Sequence, residues 1–327
     1  MMVRFPRFWR KGALFCAVLC LLTAYSVSAQ VSPKPGRRFA LIIGGIGGEE
    51  AFTKKYLEQT QRMYNLLVER LQYQPANILY LFEDPALDSV RITGRSTAAE
   101  VKKAVRRLAR ELKPEDQLFV FMVGHGTFDG RWSKFNLVGP DLRDLDYAEL
   151  LSRLPTDRII LVNTSSASGP FIKRISNKER VIVTATKTGL QNQETHFADF
   201  FIDAFASDAA DINKDKRVSL AEAFRYARVH LEKWYGDKRR LAAEKPLLDD
   251  NGDGEGSPKL ENAADGLWAR RVYLAPVSQE LEAALQKSRS GVPQSPREKL
   301  LFEKLALEQK IEDLKARKSQ LTARAYT

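Results

Sequence analysis

Five short apolar runs limit what this chain can fold into. They occupy residues 39–43, 76–82, 118–123, 159–162 and 181–185. Each is too short for a helix and too uniformly apolar for a half-exposed strand, as expected of strands buried on both faces of a sheet. Between them the apolar period becomes helical. Residues 50–71 place Tyr56, Met63, Leu67 and Leu71 on one face. Residues 97–112 do the same with Val101, Ala104, Val105 and Leu108, and Thr97 with Glu100 reads as a capping box. A short strand at 135–138 and a helix at 147–154 precede the fourth run. After the fifth run come a helix faced by Phe197, Phe200, Phe201 and Phe205, and another, ending near Trp234, striped by Leu220, Phe224, Ala227 and Leu231. Residues 268–274 are either a last strand or a packed tail. The alternation predicts an α/β fold with a mostly parallel sheet, helices on both faces and right-handed crossovers. The loops at the carboxyl ends of the strands then share one edge, where such folds place their chemistry.

The two ends read differently. Arg4, Arg7, Arg10 and Lys11 precede an apolar stretch at 13–23, and Val27-Ser28-Ala29 before Gln30 has the form of a signal-peptide cleavage site. That stretch is too short for a comfortable membrane span. The expected organisation is a signal peptide at 1–29, a tether at 30–37, the α/β domain at 38–275, a linker at 276–296 and a C-terminal helix at 297–327. In that helix Leu300, Leu307, Leu314 and Leu321 recur every seven residues, but Lys304 and Lys318 interrupt the seam. It either docks on its own domain or self-associates. The product is expected to be exported, periplasmic or secreted, with no membrane span after cleavage. Both cysteines, Cys16 and Cys20, fall in the signal, so the mature chain has no thiol nucleophile and no disulfide. The formal charge of +11 falls to 11 − 4 = +7 once the four signal cations leave. It is spread without a basic, aromatic-rich cluster, which argues against nucleic acid as a partner and fits weak attraction to anionic surfaces.

Two loops carry the candidate chemistry. The run at 118–123 ends in Gly124-His125-Gly126, and the run at 159–162 ends in Asn163-Thr164-Ser165-Ser166-Ala167-Ser168-Gly169. A base, a hydroxyl and backbone N–H groups at one edge are the parts acyl transfer needs. The glycines at 44, 45, 47 and 48 lack a phosphate-binding spacing and read as a tight strand-to-helix turn. His196 and His230 belong to no ligand cluster and read as structural or surface residues.

The order strand, His-Gly, strand, small-residue loop ending in Ser168-Gly169 resembles the legumain and caspase (clan CD) cysteine peptidases, the legumain-like ones more closely. The resemblance covers roughly residues 38–234 in element order, but only the two loops in residues. It implies a three-layer caspase/legumain-like sheet with helices on both faces. It also places His125 at the catalytic histidine and Ser166 at the catalytic cysteine, beside the backbone N–H groups that Gly126 and Ser166 themselves could offer. Asn163 stands where an acid often precedes the nucleophile. Glu49 and Glu50 occupy a loop that in legumain-like enzymes helps read the substrate, so that specificity does not transfer. The chain is also similar to exported bacterial relatives of that family with Asn-Thr-x-Ser-x-Ser-Gly in this loop. A serine hydroxyl needs an oriented base, usually held by a carboxylate, and Asp129 and Asp141 are the sequence neighbours available. The expectation is a degenerate peptidase-like module that binds a protein or peptide. The alternatives are an active serine hydrolase using Ser166 and His125, or a scaffold assembling through the C-terminal helix.

Two acidic loops have calcium-like spacing. Asp211, Asn213, Asp215, Ser219 and Glu222 match the first, third, fifth, ninth and twelfth positions of a calcium loop, with Lys216 in place of glycine at the sixth. Ser219 and Glu222 equally form a capping box for the next helix. Asp249, Asn251, Asp253 and Gly254 open a second loop, but Leu260 stands at its twelfth position. Ca2+ is the candidate cofactor for both.

Overall fold

The sheet runs in the order β10-β9-β8-β4-β1-β2-β3 in the computed structural model, which describes residues 36–261, 263–276, 300 and 307. The strands are β1 (Arg38–Gly44), β2 (Ile78–Phe82), β3 (Gly94–Arg95), β4 (Gln117–Val123), β8 (Ile159–Asn163), β9 (Val181–Thr184) and β10 (Leu247–Asp249). All neighbours are parallel except β9 and β10. A second, antiparallel sheet contains β5 (Gly126–Phe128), β6 (Ser133–Phe135) and β7 (Leu142–Arg143). The signal segment, the linker and nearly all of the C-terminal helix lie outside the described residues. Leu300 and Leu307 are helical and exposed.

Alternation along each strand divides the interior into two cores. Phe119, Phe121 and Val123 of β4 face α1 (Glu50–Glu69), α5 (Phe197–Ala206) and α6 (Leu220–Asp237). Leu118, Val120 and Met122 face α2 (Ala98–Glu111), α3 (Asp144–Leu151) and α4 (Phe171–Ile175). The result is a three-layer α/β architecture with helices on both faces. The expected stripes are the buried ones, including Tyr56, Met63 and Leu67 on α1 and Val101, Ala104, Val105 and Leu108 on α2. Thr97 caps α2 by accepting from Glu100 N.

Several boundaries differ from the sequence reading. The second run begins with a 3-10 turn, Pro75–Asn77, because proline supplies no ladder donor. The strand expected at 135–138 lies at Ser133–Phe135, and the helix expected at 147–154 is Asp144–Leu151. Residues 268–274 form a packed tail: a 3-10 turn, Ala269–Arg271, and one isolated bridge from Tyr273 to Ser219.

The topology sets the site. The chain leaves β1 toward β2 and β3, then returns to the other side of β1 with β4, followed by β8. Such a reversal opens a crevice at the carboxyl ends of the strands. Phe121, fully buried between Phe119 and Phe201, anchors β4 beneath it. Phe121→Ala is expected to cost about 3–5 kcal/mol, measured by urea unfolding.

Candidate functional site

His125 and Ser166 leave adjacent strands. The register pairs Met122 of β4 with Asn163 of β8, so both chains emerge side by side. Thr164 ties the exits together, donating to the Met122 carbonyl from its backbone N at 2.9 Å and from Oγ1 at 2.8 Å. The Asn163 side-chain oxygen accepts from Ser165 N and Oγ at 3.0 and 2.7 Å. Its Nδ2 is buried without a partner. Ala167 adopts a left-handed φ of 53°, which concentrates backbone strain beside Ser166.

Ser166 is engaged with the other loop, and not through its histidine. Its Oγ accepts from Gly126 N at 3.0 Å and donates to Gly126 O at 3.0 Å. The backbone N–H expected to serve an oxyanion therefore already has an acceptor, and Ser166 is only 3% exposed. Position 126 admits only glycine, since a Cβ there would lie 2.1 Å from the Ser166 carbonyl oxygen. Ser133 Oγ donates to the Ala167 carbonyl, fastening the β5–β6 hairpin over the same loop.

The His125 ring sits edge-on to Phe52 and Tyr56, with centroids 4.6 and 5.3 Å away. Burial among these rings lowers its pKa, opposed by hydrogen bonding to the Gly47 backbone and by Glu194. Among the described residues no hydrogen bond joins His125 to Ser166, and none joins its ring to a carboxylate. Asp129 binds Arg131 N, Trp132 N and Lys134, and these donors hold its carboxyl at about 2. Asp141 accepts from Leu137 N. Neither orients the imidazole. His196 stacks on Trp234 at 4.0 Å, and His230 on Tyr226 at 4.0 Å. Near the β1 turn a cavity of about 300 Å³ is lined by Glu49, Glu50, Glu83 and Asp84, with Arg95 opposite in charge.

The two acidic loops differ in their carboxylates. In the first, Asp211 accepts from Asp215 N and Lys216 N. Glu222 accepts from Ile212 N and Asn213 N on one oxygen and from Ser219 N and Oγ on the other. The Ser219–Glu222 capping box is thus formed, with the Glu222 carboxylate as the hub of its loop. In the second, Asp249 accepts from Gly252 N and Gly254 N, and both glycines have positive φ. Asn251 accepts from Asp253 N. Asp265, far along the chain, brings a carboxylate oxygen to a point where Asp249, Asp253 and Asp265 lie within 4.8 Å of one another. Asp265 is a residue that sequence spacing missed, because it lies beyond the twelve-residue window that ends at Leu260. Burial, reinforced by the neighbouring Asp250 and Asp249, pushes Asp265 up to about 6, and burial also raises Asp249.

The chain is related at a distance to caspase-like peptidases. It is 33% identical to metacaspase-1 of Kluyveromyces lactis over 101 residues, which is 31% of this chain and 22% of that protein. It is also 33% identical to metacaspase-1 of Eremothecium gossypii over 102 residues, again 31% and 22%. The matched stretch spans about a fifth of the length of these relatives. No protein-family model matches the chain. The crystal structure of protein GSU0716 from Geobacter sulfurreducens aligns with a TM-score of 0.41 at 12% identity, covering 65% of this chain and 92% of that one.

Ser166→Ala leaves the buried Gly126 N–H without its acceptor. It is expected to destabilise the fold by about 1–3 kcal/mol, measured by urea unfolding beside Ser165→Ala.

Proposed function

We propose that this is an exported, caspase-like peptidase-fold protein that binds a protein or peptide at the β4 and β8 exits without hydrolysing it. One observation carries this reading: the Ser166 hydroxyl is bonded in both directions to the Gly126 backbone and not to His125. A serine hydroxyl becomes nucleophilic only when a base takes its proton. Among the described residues no carboxylate orients the imidazole, and the Gly126 N–H that would steady an oxyanion faces the hydroxyl instead. A serine hydrolase would require both groups to rearrange together.

A fluorophosphonate probe at neutral pH is expected to leave the folded protein unlabelled. Labelling that disappears in both Ser166→Ala and His125→Ala would overturn the binding reading in favour of hydrolysis.

A structural calcium ion at the second acidic loop accompanies this reading, supported by the meeting of Asp249, Asp253 and Asp265. Carboxylate and carbonyl oxygens are the donors Ca2+ prefers. Asp249 and Asp253 would hold it from the loop and Asp265 would close it. The first loop is not included, because among the described residues only Asp249, Asp253 and Asp265 bring three carboxylates to one point. The pH dependence has a defined sign. The folded pKa of Asp265 is raised to about 6, so its contribution to stability is full below the ordinary carboxylate range and lost as pH rises toward 6. Calcium binds the ionised form, so its stabilisation grows over the same interval. Millimolar calcium is expected to raise the melting temperature more at about pH 7.5 than at about pH 5. Asp265→Asn should abolish the shift and Asp211→Asn should retain it; a shift that survives Asp265→Asn excludes this site.

A further inference from the structure

Ser166 is 3% exposed, and besides the β5–β6 hairpin one further segment packs on its loop. Residues 186–196 connect β9 to α5 and cross over the Ser166 loop. Gln191 O accepts from Ala167 N at 2.8 Å, and Thr195 Oγ1 donates to the Thr164 carbonyl at 2.6 Å. The approach is so close that a Cβ on Gly169 would lie 2.3 Å from the Lys187 carbonyl oxygen. Yet no residue of this segment belongs to either core, and Leu190 is 80% exposed. Its flanks differ sharply: Ala185 and Phe197 are both fully buried. A segment held by polar contacts between two fixed ends belongs to the low-stability part of a fold, able to open while the core stays closed.

The far end is pinned by a side chain that sequence gave no reason to single out. Glu244 is 2% exposed, and its carboxylate accepts from His196 N at 2.7 Å, Phe197 N at 3.1 Å and the Tyr235 hydroxyl at 3.1 Å. It therefore closes the first turn of α5, where a negative charge is favoured by the helix dipole. A second tie comes from α1: Lys55 pairs with Glu194 at 2.6 Å and donates to the Thr195 carbonyl at 3.1 Å. A third comes from the loop after α6, where the Ala243 carbonyl accepts from Gln191 Nε2 at 3.0 Å.

We propose that residues 186–196 form a gate over the Ser166 loop, held shut by Glu244 at the start of α5, and that its opening admits the partner. The inference rests on the binding reading for what enters, but not for the motion itself.

The pin gives the gate a pH dependence. Burial, partly offset by its backbone donors, pushes Glu244 up to about 7. The charged and titratable groups that act on it are Lys55 from α1, His196 from the gate and Tyr235 from α6, while Glu194 of the gate, Asp199 of α5 and Arg240 beyond α6 act on His196. With the gate closed Glu244 holds a proton that it releases when opened to water, so opening becomes easier as pH rises toward 7. His196 acts in the opposite sense, because burial lowers its pKa when the gate is closed. Comparing the protein with Glu244→Gln cancels the histidine, since glutamine keeps the shape but cannot ionise.

Hydrogen exchange followed by mass spectrometry tests this on the full chain, using protection factors so that intrinsic pH effects divide out. Relative to Glu244→Gln, the unsubstituted protein is expected to lose more than about tenfold of its protection at residues 187–195 and Ala167 between pH 5 and 7, a size set by the shift from an ordinary glutamate near 4.3. The β4 and β8 amides should stay protected in both. A ratio flat with pH, or loss of protection in β4 and β8 along with the segment, overturns the gate. If Glu244→Gln fails to fold, His196→Gln removes the opposing limb, and a rise in opening from pH 5 to 7 must then stand alone. The readout needs neither probe nor partner, so the gate and the binding reading fail independently.

Discussion

The two-way hydrogen bond between the Ser166 hydroxyl and the Gly126 backbone holds the site in its present form. It exists because β4 and β8 are adjacent and parallel, with Met122 opposite Asn163, so that the two chains leave the sheet together. The same bond is what the non-hydrolytic reading rests on. A hydroxyl that donates to a carbonyl and accepts from an amide has both of its ordinary uses satisfied. The neighbouring imidazole, set edge-on to Phe52 and Tyr56, has no carboxylate hydrogen-bonded to it among the described residues. His125 and Ser166 lie at one edge of the sheet, and the hydroxyl is bonded to the Gly126 backbone.

Around that bond, buried acids are managed by backbone donors. Glu222, Glu244, Asp249 and Asp265 each accept hydrogen bonds from N–H or O–H groups. At Glu222, which stands apart from any cluster of carboxylates among the described residues, the acid is a loop-closing element in its own right. Where several carboxylates converge, as at Asp249, Asp253 and Asp265, burial and neighbouring acids raise the proton affinity of Asp249 and Asp265. Glu244 is the third outcome: one buried acid at a helix start, balanced near neutrality.

What could be read from the sequence follows from how locally each feature is encoded. The five buried runs and the stripes of α1 and α2 are patterns within a single element, and they fold as read except at their ends. β10 escaped notice because Leu247-Leu248-Asp249 is too short to give a period and lies against an acidic loop. β5, β6 and β7 have only two or three residues each and depend on the hairpin that Ser133 fastens to Ala167. The positions of His125 and Ser166 at one edge follow from strand order. The partner of the Ser166 hydroxyl does not, because it depends on a side-chain rotation against a neighbouring backbone. Asp265 and Glu244 were illegible for a related reason: each acts on a segment it reaches only after the chain has folded, so no local spacing marks it.

The central claim is that His125 and Ser166 are neighbours without being a catalytic pair. The most direct test is the titration of the His125 imidazole by NMR in the unsubstituted protein and in Ser166→Ala. The account predicts the same midpoint in both, below the ordinary histidine value, while the Gly126 amide loses protection in the variant. A His125 midpoint that moves when the hydroxyl is removed would show that the two are coupled and would contradict it.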